Sequence, residues 1–175
     1  GAVGGWSSRR LKVMPALALL TSTSAISSRG PSCWSSTTHP ASAAAAGCSE
    51  IGMAVMASET FSQRNQGCAM DDAVAAWLDI ATRARQAGIR AQVTVSVAFG
   101  CPFEGEVPVT RIVELARRLA EAEPVEIALA DTIGVGVPAQ VTELVSRVRE
   151  AVPGIPLRCH FHNTRNTGLA NAFAA

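Results

Sequence analysis

The sequence predicts an α/β fold built on a parallel sheet, and three observations carry that reading. Short apolar runs that read as strands recur at intervals of roughly 30 to 40 residues from about residue 50 onward. Between consecutive runs lies a segment with apolar residues at helical spacing. The strand runs are nearly continuously apolar, as expected where helices cover a parallel sheet. Such βα units belong either to a closed barrel or to an open doubly wound sheet.

The first strand is EIGMAVMA, Glu50 to Ala57. SETFSQRN, Ser58 to Asn65, reads as a polar loop, and DDAVAAWLDIATRARQAG reads as a helix with Val74, Trp77, Leu78 and Ala81 on one face and Gly88 as its stop. The second strand is AQVTVSVAF, Ala91 to Phe99, and its helix, near Pro108 to Glu121, carries Ile112, Leu115, Ala116 and Leu119 at helical spacing. VEIALA, Val125 to Ala130, is the third strand. The helix after it opens on Pro138, a favoured first helical residue, and continues with the stripe Val141, Leu144, Val145, Val148 and Val152. The fourth strand, IPLRCHF, leads into a helical TGLANAFAA.

Residues 1–46 stand apart. They are rich in Ser, Thr and Ala, hold Arg9, Arg10, Lys12 and Arg29, contain no Asp or Glu, and show no sustained helix or strand period. RRLKVMPALALLTSTSA has the basic, apolar and small-residue order of a secretory signal, and the wider stretch has the bias of an organelle transit peptide. The third reading is an irregular, low-complexity leader, disordered or frame-shifted, that does not belong to the fold. The sequence favours this one, because the chain starts at Gly1 and the targeting signals are compositional only. The expected division is therefore a leader over 1–46 and an α/β domain over 47–175.

Composition narrows the function classes. Fifteen Lys and Arg against 14 Asp and Glu give a net charge of +1, and the basic residues after position 50 are scattered along helices rather than clustered with aromatics, so no nucleic-acid footprint is present. No apolar run is long enough to span a bilayer. Five cysteines with no C-x-x-C pair indicate neither a disulfide framework nor a structural zinc site, which fits a reducing compartment, the cytoplasm first.

Ligands of parallel α/β folds gather where strands end, so the polar groups there are the candidates for chemistry. Cys101, in GCPFEGEV, has no activating neighbour in sequence and reads as an inert thiol. Asp131 follows the third strand immediately and can bind metal, hold a substrate hydroxyl or cap a turn. Gly134 and Gly136 are too few for a phosphate loop. His160 and His162 alternate, so both imidazoles project from one face of the fourth strand, where two nitrogens can grip one metal ion. His39 lies in the irregular segment and receives no role.

ASETFSQRN, VSVAFGCPFEGEV, ADTIGVGVP and HFHNTRNTGLAN, in that order and running from about Gly47 to the last residue, resemble the hydroxymethylglutaryl-CoA lyase family. The last two motifs are shared more loosely with isopropylmalate, homocitrate and citramalate synthases. The resemblance implies a partial TIM (β/α)8 barrel of about four central βα units. It also implies a metal-dependent retro-Claisen cleavage of 3-hydroxy-3-methylglutaryl-CoA to acetoacetate and acetyl-CoA, a reaction of leucine degradation and ketone body formation. Carried over by motif, His160 and His162 are ligands to a divalent cation, Mg2+ or Mn2+, and His160 is also a proton-transfer group. Asp131 is the catalytic carboxylate near the substrate hydroxyl, expected to matter to chemistry more than to folding. Asn65 falls on the side that binds the coenzyme A of the acyl-CoA substrate. Asn163 stands where many relatives have Asp.

The family's first strand carries an Arg-Asp pair that nothing before Ala46 supplies, and its later strands have no counterpart here. The chain is thus expected to be an incomplete, inactive and poorly folded fragment of a lyase that can form a homodimer at full length. It would be cytoplasmic, or mitochondrial if the leader is a transit peptide. The alternatives are an acyl-CoA condensing synthase of the same superfamily and a non-catalytic remnant.

Overall fold

A computed structural model describes Lys12–Met14, Pro40–Ala45 and residues 47–175. Its elements, in order, are β1 (Lys12–Met14), α1 (Pro40–Ala45), β2 (Glu50–Met56), α2 (Glu59–Gln66), α3 (Met70–Gln86), β3 (Arg90–Ser96), α4 (Val109–Ala120), β4 (Ile127–Asp131), α5 (Pro138–Ala151), β5 (Leu157–Phe161) and α6 (Gly168–Ala174). The strands form one sheet in the order β1-β5-β4-β3-β2, and every neighbouring pair is parallel. The α/β class and the four predicted βα units are therefore present, and their order along the sheet follows their order in the chain.

Register divides the strands into two faces. Val55, Val95, Leu129 and Cys159 form one cross-strand row. Together with Met53, Val93, Ile127, Leu157 and Phe161 they join the helix residues Trp77, Ile112, Leu119, Val141, Leu144 and Val148 in a single core. Trp77 is fully buried and donates its indole N–H to the Leu119 carbonyl of α4 at 2.9 Å, so the largest side chain of the core is also polar-satisfied. The other face is small or polar. Ala54, Thr94, Ala128 and Arg158 form one row, and Ala130 pairs with His160 in the next.

The helices are fixed by the features that predict them. α3 carries Asp71 and Asp72 in its first turn and Arg83 and Arg85 in its last, which complements the helix dipole at both ends. α5 opens on Pro138, whose missing N–H is one that the first turn leaves unbonded in any case.

Two expectations change. SETFSQRN is not a loop: its last seven residues fall in α2, which ends at Gly67 in the left-handed conformation. The apolar face there is too short for a helical period to show. The segment expected to be irregular contains β1 and α1, and β1 pairs with β5 through Lys12↔Arg158, Val13↔Cys159 and Met14↔His160. Three residues give no periodicity, so only the tertiary pairing reveals such a strand. At the opposite edge of the sheet Gln66 of α2 donates its amide to the Ala54 carbonyl at 2.8 Å. The targeting-peptide readings rest for the most part on residues outside those described, and His39 lies outside them too.

No described helix is long and apolar enough to cross a membrane. Cys48, Cys101 and Cys159 are free thiols, whereas Cys68 is disulfide-bonded, a bridge that cysteine spacing did not announce.

Candidate functional site

The sheet delivers its polar groups at one end. Parallel strands share a direction, so Ser58 after β2, Cys101 after β3, Asp131 at the end of β4, and His160 and His162 at the end of β5 all lie at the carboxyl ends of strands.

His160 belongs to the small and polar face, opposite Ala130, and His162 follows two residues later on the same side. The two rings stand 4.9 Å apart between centroids, inclined at 74°. His160 is buried, and its Nδ1 has no hydrogen-bond partner. Burial pushes its pKa down, the neighbouring His162 and Arg158 push it further, and Asp131 opposes them, so the ring is held neutral. A neutral, unbonded nitrogen beside a second imidazole suits a divalent cation. Among the described residues no group of three or more His, Cys, Asp or Glu converges, so these residues supply two nitrogens and no third ligand.

Asp131 reaches the same end on different terms. Its register partner is Phe161, which places it on the helix-facing side rather than beside His160. Its carboxylate accepts the Val135 N–H at 2.9 Å and the Gly136 N–H at 3.0 Å, and the residue is 1 % exposed. Asp131 therefore shapes the β4–α5 loop as well as placing a negative charge near His160. That loop is locked to the one after β5. Thr167 and Asn171 both donate to the Gly136 carbonyl, at 3.2 and 2.9 Å, and a Cβ on Gly134 would come within 2.7 Å of Thr164 Cβ. Asn163 accepts the Gly168 N–H at 2.9 Å, which fixes the start of α6.

Asn65 is exposed on α2 and is not brought against the histidines by any interaction. α2 is instead fastened to the loop after β3. Ser58 donates to the Cys101 sulfur at 3.0 Å, the Thr60 N–H donates to Glu104 at 2.7 Å, and Phe61 meets Phe103 at 5.7 Å. The Thr60 N–H, helped by Arg111, holds the Glu104 carboxyl below its ordinary value. Cys101 also accepts the Phe103 and Glu104 N–H groups at 3.4 Å, so it staples a turn.

One residue of the polar face escaped the sequence reading. Arg158 is buried two positions before His160, paired with Glu126 at 2.6 Å and donating to Gln92 of β3 at 2.7 Å. The signal was available: an Arg inside a strand otherwise apolar, on the same alternation as the histidine pair.

The described residues thus form a parallel βα sheet with an imidazole pair at its carboxyl end as the candidate site. The HMGL-like family profile matches residues 24–175, beginning inside the segment that sequence alone set apart, and the chain belongs to that family. It is 38% identical over 133 residues to the cytoplasmic 3-hydroxy-3-methylglutaryl-CoA lyase of Danio rerio, covering 76% of this chain and 40% of that protein. It is 37% identical, also over 133 residues, to the (R)-citramalyl-CoA lyase of Chloroflexus aurantiacus, covering 76% of this chain and 42% of that one. Among solved structures, the hydroxymethylglutaryl-CoA lyase of Pseudomonas aeruginosa superposes with a TM-score of 0.72 at 35% identity, over 76% of this chain and 44% of that one. A lyase from Acinetobacter baumannii, in complex with coenzyme A and 3-methylmalate, superposes with a TM-score of 0.71 at 32% identity, over 77% of this chain and 44% of that one. The chain thus spans about two fifths of the length of the curated relatives it matches.

Proposed function

We propose that this chain carries the metal-binding strand end of a carbon-carbon lyase that cleaves a 3-hydroxyacyl-CoA, 3-hydroxy-3-methylglutaryl-CoA first, into a 3-oxo acid and acetyl-CoA. The observation that supports it best is the His160–His162 pair, one ring buried with an unbonded nitrogen, on a scaffold whose relatives are named as lyases of such esters. A divalent cation bound there, Mg2+ or Mn2+, would polarise substrate oxygens and stabilise the negative charge that cleavage releases.

The reaction removes the proton of the tertiary hydroxyl, breaks the adjacent carbon–carbon bond as the ketone forms, and leaves the acetyl-CoA enolate to be protonated. A neutral imidazole has one lone pair and one N–H, so the His160 ring would use that lone pair either to hold the cation or to accept a proton near pH 7, while its N–H could donate to a substrate oxygen. Asp131 supplies a fixed negative charge that favours the protonated form of His160 and holds the loop that borders the site. Asn65, exposed on α2, is assigned to the coenzyme A side through its motif.

The test is Mn2+ titration of the 175-residue chain, followed by calorimetry or by the loss of the free ion's paramagnetic signal. The wild type is expected to bind, and His160→Ala and His162→Ala are each expected to weaken binding at least tenfold. Equal binding by both variants overturns the site. Acetoacetate release from 3-hydroxy-3-methylglutaryl-CoA then tests the substrate. The citramalyl-CoA lyase relative makes that ester the second substrate, and pyruvate as the released acid would favour it.

A further inference from the structure

The Gly136 peptide sits between two parts of the site. Its N–H donates to Asp131 Oδ2 at 3.0 Å, and its carbonyl accepts from Asn171 Nδ2 at 2.9 Å and Thr167 Oγ1 at 3.2 Å. The chain of bonds therefore runs from α6 through Gly136, whose carbonyl and N–H belong to the two successive peptides joined at its Cα, to the Asp131 carboxylate. Each of those peptides is planar, so only the two torsions at the Gly136 Cα remain between the held carbonyl and the N–H that Asp131 accepts. Space closes the remaining freedom. A Cβ at Gly136 would lie 3.1 Å from Asp131 Oδ2 and 3.3 Å from Phe99 Cβ, so the carboxylate and the Phe99 ring pack directly on the glycine. Asn171 is fully buried, yet its Oδ1 has no partner, so the hydrogen bond its side chain makes to protein is the one to Gly136. A buried amide retained with its oxygen unpartnered is costly, and the bond it does make is the reason to keep it.

We propose that Asn171, assisted by Thr167, is a positioning residue for Asp131: from α6 it clamps the Gly136 carbonyl and, through the tightly packed Gly136 Cα, steadies the N–H that orients the carboxylate at the end of β4. Its importance to catalysis rests on the reading that Asp131 belongs to the site, but the clamp itself does not.

The experiment is amide hydrogen exchange by NMR on the metal-free 175-residue chain, with Asn171→Leu, which keeps size and removes the donor, and Thr167→Val. Leu129 and Ala130 of β4 serve as internal references. In Asn171→Leu the Gly136 amide is expected to exchange about tenfold faster relative to those references, and its proton resonance to move upfield as the bond to Asp131 loosens. A general loss of stability would speed all three amides by the same factor and leave the Gly136 shift in place, and that result overturns the proposal. If Asn171→Leu does not fold, Thr167→Val decides. The Gly136 amide is then expected to exchange roughly threefold faster relative to the references, and no change overturns the proposal. Mn2+ binding by His160 and His162 is measured separately, so its failure would remove the lyase reading and leave the exchange result standing.

Discussion

Arg158 and Glu126 meet at 2.6 Å on the small and polar face of the sheet, with only 9% and 13% of their side chains exposed. Through Gln92 the same guanidinium reaches β3, so one side chain of β5 ties three neighbouring strands beneath the histidine pair. Taking two charges out of water is costly, and their mutual attraction offsets that cost only while both are present.

Arg158→Met is therefore expected to destabilise the chain by about 3–5 kcal/mol, since it strands the Glu126 carboxylate. Arg158→Met combined with Glu126→Gln removes both charges and should recover most of that loss. Urea denaturation midpoints of the three proteins measure it. A single variant as stable as the wild type would mean that the pair carries no structural weight.

Gly134 lies at φ +69°, and a Cβ there would come within 2.7 Å of Thr164 Cβ. Gly134→Ala meets both the left-handed strain of an L residue, about 1–2 kcal/mol, and an overlap with the loop after β5. Thr164→Gly in the same chain should remove that Cβ, and with it the overlap, while leaving the strain, so the double variant should stand between Gly134→Ala and the wild type in thermal midpoint. No difference between Gly134→Ala and the double variant would show that the two loops are not packed as described.

These two features mark where sequence stopped. The strands around Val95 and Leu129 and the stripe from Val141 to Val148 were legible because burial against a sheet imposes a local apolar pattern. The histidine pair was legible because alternation alone puts positions 160 and 162 on one side. β1 was not, because a three-residue strand takes its identity from pairing with β5. α2 was not, because the residue that precedes it, Ser58, and its inward position Ser62 are both fully buried yet polar, and they read as loop. The clamp on Gly136 depends on Thr167 and Asn171 arriving from a different element, and no spacing rule reports that.

The stability of the metal-free chain should depend on pH through His160. Its folded pKa lies below the ordinary value of 6.5, chiefly through burial. Below pH 6.5 the unfolded chain takes up the proton and the folded chain resists it, so stability is fully present above 6.5 and is lost as pH falls toward the folded value. Glu104, with its carboxyl lowered from 4.5, contributes a separate loss only below about that pH. Denaturant midpoints between pH 8 and 5 check this. His160→Gln, which cannot take up the proton, should flatten the decline, and an unchanged slope would exclude His160 as its source.

Asp131→Asn separates the two duties of this carboxylate. Sequence placed its weight on chemistry, but both oxygens are engaged by N–H groups of the β4–α5 loop and the side chain is 1% exposed, so folding depends on it as well. An Asn side chain has one acceptor oxygen and one NH2, so whichever way it turns, either Val135 or Gly136 presents its N–H to another donor. Losing a hydrogen bond to a charged acceptor costs about 1.5–3 kcal/mol, and a buried N–H without an acceptor leaves no compensation, so a clear fall in the denaturation midpoint is expected. The charge is lost at the same time. Because Asp131 raises the pKa of His160 against burial and its basic neighbours, its neutralisation should move the His160 titration to still lower pH, read from the imidazole proton shifts. Asn171→Leu supplies the contrast: it loosens the Gly136 peptide while leaving the Asp131 charge in place, so it should shift His160 far less than Asp131→Asn does. A loss of stability with an unmoved His160 titration would confine Asp131 to the loop, and a moved titration with unchanged stability would show that the two loop N–H bonds contribute nothing to folding.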